Sequence, residues 1–136
     1  MDFFTDKFGF KSDDLDAVTA ELSRVLDMPV EPHFYEGFGG DYSAFGEHDE
    51  LGGQLSLYRN RFHNGREREI HEEDFPELGL VLLIEQQGQH VDYVPILQKI
   101  QSFKPILLYR DRYLERPDKS EVLFDLAKEE GRSAPQ

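Results

Sequence analysis

The chain is 136 residues long and sets 28 Asp and Glu against 15 Lys and Arg, a formal net charge of -13. A field of that sign repels phosphate backbones and anionic membranes and draws in basic proteins, so direct nucleic-acid and membrane partners are disfavoured and a basic protein partner is expected. With no Cys, disulfides, thiolate metal sites and cysteine nucleophiles are excluded together, which suits a reducing, cytoplasmic setting.

Eleven Phe and six Tyr are too many for an acidic disordered tail, and this length supports one core, so a single domain over 1–136 is expected. The N-terminus lacks the basic start and apolar run of a secretory signal, and the longest apolar stretch, Leu80 to Ile84, is too short to span a bilayer.

Residues 1–11, with Phe3, Phe4, Phe8 and Phe10, read as a short strand or an arm laid over the sheet. Leu15, Val18, Leu22, Val25 and Leu26 then recur at helical spacing. Ser12 or Asp13 is the expected N-cap, and Pro29 the stop. His33–Tyr35 and Asp41–Phe45 flank three glycines and predict a hairpin. Gln54 to Arg59 alternates with period two, and Asn64-Gly65 predicts a tight turn returning Arg66 to Ile70 along that strand.

Leu78 to Ile84 is short and continuously apolar, the pattern of a strand buried on both faces near the middle of the sheet. Gly88 ends it. Asp92 caps a second predicted helix with Tyr93, Ile96, Leu97 and Ile100 on one side. Ile106 to Tyr109 is the last predicted strand, reached by a right-handed crossover if it runs parallel to the buried one. A terminal helix is expected after Pro117, with Asp118 and Glu121 as a capping box, Val122, Leu123 and Leu126 as its stripe and Gly131 as its stop. Residues 132–136 read as a frayed tail. The expected fold is α+β: a mainly antiparallel sheet of about five strands with helices packed on one side.

The five histidines make no established metal or catalytic motif. His71-Glu72-Glu73-Asp74 lacks the second His of a zincin helix, and His48 among Glu47, Asp49 and Glu50 lacks the ligand spacing of an EF-hand. No serine lies in a nucleophile elbow, and the Gly37–Gly40 run stands between Glu36 and Asp41, which would repel a phosphate. No metal, cofactor or catalytic residue is therefore predicted. The alternatives are a small metal-dependent hydrolase using His48 or His71 with adjacent carboxylates, and an acidic regulatory adaptor or nucleic-acid mimic.

A binding surface is the leading expectation. Glu47, Asp49 and Glu50 before one strand, and Glu72, Glu73 and Asp74 after its expected hairpin partner, converge at one sheet end if those strands pair. Tyr42, Phe45 and Tyr58 are the candidate aromatic anchors beside that acidic rim. Arg59, Arg61, Arg66 and Arg68 form a basic island that this scheme leaves unexplained.

The order of an amphipathic helix, Tyr35-Glu36-Gly37 to Asp41-Tyr42, Leu57-Tyr58-Arg59-Asn60, Phe75-Pro76-Glu77-Leu78, a buried strand, a helix and Ile106-Leu107-Leu108-Tyr109-Arg110 resembles small bacterial immunity proteins of contact-dependent growth inhibition and related polymorphic toxin systems. The resemblance covers roughly residues 12–113 and is one of element order. It implies a cytoplasmic protein without enzymatic activity that binds and neutralises a cognate toxin domain, often a basic nuclease, and it assigns no individual contact residue.

Overall fold

A computed structural model describes residues 2–46, 54–114 and 120–132. Its nine strands and three helices run in the order β1 (Phe3–Phe10), α1 (Leu15–Leu26), β2 (Val30–Tyr35), β3 (Gly40–Phe45), β4 (Gln54–Arg59), β5 (Arg61–Asn64), β6 (Glu67–Ile70), β7 (Leu80–Gln87), α2 (Val94–Leu97), β8 (Ile106–Tyr113), β9 (Glu121–Asp125) and α3 (Leu126–Glu129). Seven strands form one sheet in the order β2-β3-β4-β7-β1-β8-β9, and β5-β6 is a separate two-stranded ribbon. Every neighbouring pair is antiparallel. The α+β class and the antiparallel sheet agree with the sequence; the strand number is larger.

Of the two readings of the N-terminal segment, a strand or an arm, the strand forms. β1 lies inside the sheet between β7 and β8, with Phe8 opposite Leu82 and Phe10 opposite Leu80. Phe8 and Phe10 point toward α1 and join Leu15, Val18, Leu22, Leu57 and Leu82 in the main core. The buried strand predicted from Leu78 to Ile84 is β7, whose Leu80, Val81, Leu82 and Ile84 are all buried between β4 and β1. Because β7 and β8 both pair with β1, they run parallel to each other without touching as neighbours.

Helix α1 buries Leu15, Val18, Leu22 and Leu26 of the predicted stripe, while Val25 is partly buried against the same core. Its N-cap is Asp14, one residue beyond the expected caps, and its carboxylate accepts from the Ala17 N–H at 3.0 Å. The helix ends at Asp27, held left-handed at φ 52°, while Ser23 Oγ donates to the Met28 carbonyl at 2.8 Å. The β2–β3 hairpin forms as expected, closed by a short 3-10 turn at Glu36–Phe38 with Gly39 at φ 83°.

Three local readings change. Arg66 to Ile70 does not return along β4, which pairs with β3 and β7; β6 pairs with β5 instead. Asn64 lies opposite Glu67, so the two-residue loop is Gly65-Arg66 with positive φ on Gly65, as in a type II′ turn. Residues 121–125, expected as helix, form edge strand β9 on β8. The unpaired edge of β8 offers backbone bonds to that segment, whereas a helix there would have had to bury Val122 and Leu123, which are exposed. α3 is one turn long, capped by Asp125, whose carboxylate accepts from the Lys128 N–H; the expected cap Asp118 lies outside the described residues.

Helices are not confined to one face. α1 and α2 cover the first, while Ala127 of α3 packs with Phe75, Leu78 and Leu108 in a second cluster. Gly9, between Phe8 and Phe10 on β1, faces that second cluster, and a Cβ there would run into the Leu78 side chain. Arg132 is not frayed: its N–H donates to the Ala127 carbonyl at 2.7 Å and its guanidinium bonds Glu77 at 2.6 Å.

Candidate functional site

The excursion between β4 and β7 is held by a buried side chain that composition and spacing do not mark. Asn60 donates through Nδ2 to the carbonyls of Phe75 and Leu78 at 3.0 and 2.9 Å, and its Oδ1 accepts from the Glu72 N–H at 2.7 Å. Those bonds pin residues 72–78 to the C-terminal end of β4 and place the β5–β6 ribbon over the second face of the sheet.

A line of rings then joins the ribbon to the β2–β3 hairpin. Phe38 stacks on Tyr58 at 4.4 Å and meets Tyr42 edge-on at 4.8 Å. His71 meets Tyr58 edge-on at 4.8 Å, and Phe62 stacks on His71 at 4.4 Å. Aromatic pairs add about 0.5–1.5 kcal/mol each beyond their area burial, so the two hairpin tips are fixed relative to each other. Burial, with the charges of Glu72 and Glu85 added, pushes the Tyr58 hydroxyl well above its ordinary value.

Between the tips lies a cleft of about 680 Å³, walled by Phe34 and Glu36 on one side and by Phe62 and Glu69 on the other, with the glycines of the 37–40 turn as its floor. Phe34 is 69% exposed, on edge strand β2, and the next residue, Tyr35, is 56% exposed. Asp41 lies directly across from Phe34 and is also exposed. Large exposed rings beside carboxylates have the make-up of an interface: an apolar anchor with charge around it.

The expected anchors lie elsewhere. Phe45 and Tyr58 are buried, Phe45 in the main core and Tyr58 within the ring stack, so neither offers a face to a partner. Tyr42 is half-buried between Phe38 and His33. The signal that separates Phe34 from them is the sheet edge, which depends on strand order and not on composition.

Only the second half of the expected acidic rim falls among the described residues. Glu47, Asp49 and Glu50 lie outside the described residues, but Gly46 and Gln54, which flank that segment, are at the opposite end of β4 from Asn60. A six-residue strand spans roughly 20 Å, which separates Gln54 from Glu72, whose N–H is held by Asn60. Glu73 and Asp74 are exposed, whereas Glu72 bonds Lys7 at 2.9 Å. β4 and β6, whose ends were expected to meet, are not partners.

Glu72, Lys7, Asp74, Tyr109 and Asp125 line a second, smaller cavity of about 230 Å³ on the same face. The Tyr109 hydroxyl donates to Asp111 at 3.1 Å, and burial with the charges of Asp111 and Asp125 pushes it up to about 12. Of the two histidines considered for hydrolysis, His48 is outside the described residues, and His71 is held between rings with Nε2 buried and unpartnered. Among the described residues no group of three or more His, Asp or Glu is placed to hold a metal ion.

One His–carboxylate pair exists that sequence spacing did not reveal. His90 Nε2 lies 2.9 Å from Asp6 Oδ2, and Arg110 bonds the same carboxylate through Nε at 2.9 Å and Nη2 at 3.2 Å. Arg110 reaches Asp92 as well, at 3.0 Å. Asp6 is fully buried and Phe4 covers the His90 ring, so the cluster joins β1, β8 and the 90–92 loop and is built as a clasp.

No family model, no curated protein and no solved structure matches this chain. Among the described residues no helix is long and apolar enough to cross a membrane.

Proposed function

We propose that this chain is an inhibitory binding protein of the immunity type, which neutralises a cognate toxin domain by covering it and does no chemistry of its own. The partner in this reading is basic, as a nuclease domain is where it holds nucleic acid, and the complex forms in the bacterial cytoplasm. The observation that carries the reading is Phe34, the most exposed large apolar side chain among the described residues, at the mouth of a cleft bordered by Glu36, Asp41 and Glu69. A charge of -13 speeds encounter with a basic surface through a field that salt screens over about 10 Å at 0.1 M. A desolvated ring holds the formed complex by short-range contact.

The test begins with the gene neighbourhood, where the reading expects a toxin-type domain encoded beside this chain, and uses that domain as the binding partner. Stopped-flow mixing at two salt concentrations should give an association rate that falls steeply with salt and a dissociation rate that barely moves. Phe34→Ala should cost about 2 kcal/mol, mostly in dissociation, and co-expression of the wild-type chain should protect cells from the toxin. Absence of binding and of protection would overturn the proposal.

A further inference from the structure

We infer that the β5–β6 ribbon is a plug, which sets Arg66 and Arg68 against the carboxylates that hold the catalytic metal of the basic partner. The inference deepens the proposed function and rests on it for the partner. Its separate support is the pairing state of the arginines and the build of the ribbon.

In a chain with a net charge of -13 most arginines find a carboxylate. Arg24, Arg61, Arg110, Arg112 and Arg132 each bond at least one. Arg66 and Arg68 are exposed and form no ion pair among the described residues. Register accounts for Arg68: its cross-strand neighbour is His63, and strand alternation turns Glu67 and Glu69 to the other side of the ribbon. Arg66 stands in the two-residue loop, beyond the last cross-strand pair.

The ribbon is held at its base and clear at its tip. The His71 N–H donates to the Asn60 carbonyl at 2.8 Å, Phe62 stacks on His71, and Asp13 engages Arg61. At the other end Gly65 takes φ 66°, and a Cβ there would meet nothing within 4 Å. Two four-residue strands joined by a two-residue turn make a narrow projection about 13 Å long. Gly65 and Phe34 line the same cleft, so the tip and the proposed anchor address one partner surface.

Charge decides what the tip meets. A nucleic acid is repelled by the body of the chain, so its phosphates are a poor match for two arginines carried there. A carboxylate is a good match when it belongs to a protein that is basic around it. A metal-dependent nuclease has that pattern: bases along the nucleic-acid track surround the carboxylates that bind divalent ions at the scissile phosphate. This chain carries the inverse, a negative body with a positive tip. A guanidinium bonds a carboxylate through a fork of two N–H groups, so the tip occupies the oxygens that the metal needs and the two compete.

The experiment measures binding of the full chain to the toxin-type domain by calorimetry, in EDTA and in magnesium at about ten times its own Kd for the domain, with ionic strength matched. Magnesium should weaken binding about tenfold. Arg66→Gln with Arg68→Gln should weaken it about a hundredfold in EDTA and make it indifferent to magnesium. Circular dichroism should not change, because both side chains are exposed. Arg24→Gln with Lys99→Gln removes the same charge away from the ribbon and should weaken nothing. A wild-type affinity that ignores magnesium, a ribbon variant that binds like wild type, or a control pair that weakens binding as much would overturn the inference and leave the proposed function standing. So would a DNA duplex that binds wild type and not the ribbon variant, which would assign the arginines to phosphate. No binding of the domain by wild type would overturn the proposed function, and this inference with it.

Discussion

Asp6→Asn tests whether the clasp at the centre of the sheet stabilises the fold through its charge. The substitution keeps the volume of the side chain and removes the carboxylate that Arg110 meets through two nitrogens and His90 through one. Burial works against the Arg110 charge, and the bonds to Asp6 and Asp92 outweigh it, raising its affinity for the proton above the ordinary value. Breaking a buried ion pair from one side costs about 3–5 kcal/mol, because the other charge stays buried and unmatched. Arg110 keeps Asp92, which is itself half-exposed, so the low end applies, about 3 kcal/mol. At about 2.1 cal/mol/K of unfolding entropy per residue, a chain of 136 residues converts that into a fall in Tm of about 10 °C. Calorimetry gives the answer directly. Asp6→Leu with Arg110→Met, which removes both charges, should recover at least half of the loss. A single variant within about 2 °C of wild type, or a double variant no better than the single, would show that the clasp contributes by packing and not by pairing.

Asn60→Ala leaves the Phe75 and Leu78 carbonyls and the Glu72 N–H without their partner; it should cost about 2–3 kcal/mol in urea unfolding and expose residues 72–78 to protease. Phe34→Ala should leave Tm within about 2 °C of wild type, since a ring this exposed contributes little to folding; a larger fall by calorimetry would place it in the core. On the alkaline side, Tyr109 keeps its proton up to about 12 in the folded state, and burial raises Tyr58 as well. The unfolded chain ionises both near 10. It therefore holds fewer protons than the fold at higher pH, and stability should be full below pH 10 and decline between about pH 10 and 12. Tyrosinate absorbance and a denaturant midpoint measured together check this. On the acid side, Asp92 is held below its ordinary value, by the Val94 N–H first and Arg110 after it, and Glu77 and Glu21 are lowered as well. Their contribution is present above about pH 4 and lost as pH falls through their folded values, so the acid limb of a pH–Tm curve should begin below pH 4.

Local pattern determined the elements whose residues face one environment along their whole length. The α1 stripe from Leu15 to Leu26 and the apolar run of β7 are of this kind, because helical periodicity and continuous burial leave the same mark in any fold. The β2–β3 turn was legible for another local reason: Gly39 and Gly40 take up backbone conformations that few other residues tolerate. Strand order left no such mark. The N-terminal segment reads equally as a strand or an arm, and only Arg110 and His90, 104 and 84 residues away, make the buried Asp6 carboxylate admissible inside the sheet. β9 carries a helical stripe in its sequence and is a strand because β8 has an edge to pair. The candidate site depends on the same long-range decisions. Phe34, Phe45 and Tyr58 are alike as residues near turns, and it is β2 lying at the edge of the sheet, with β5–β6 folded over Tyr58 by Asn60, that exposes the first and buries the third. Which carboxylates meet at one place is likewise fixed by register and pairing, which link positions far apart in the chain through hydrogen bonds that composition and periodicity do not encode.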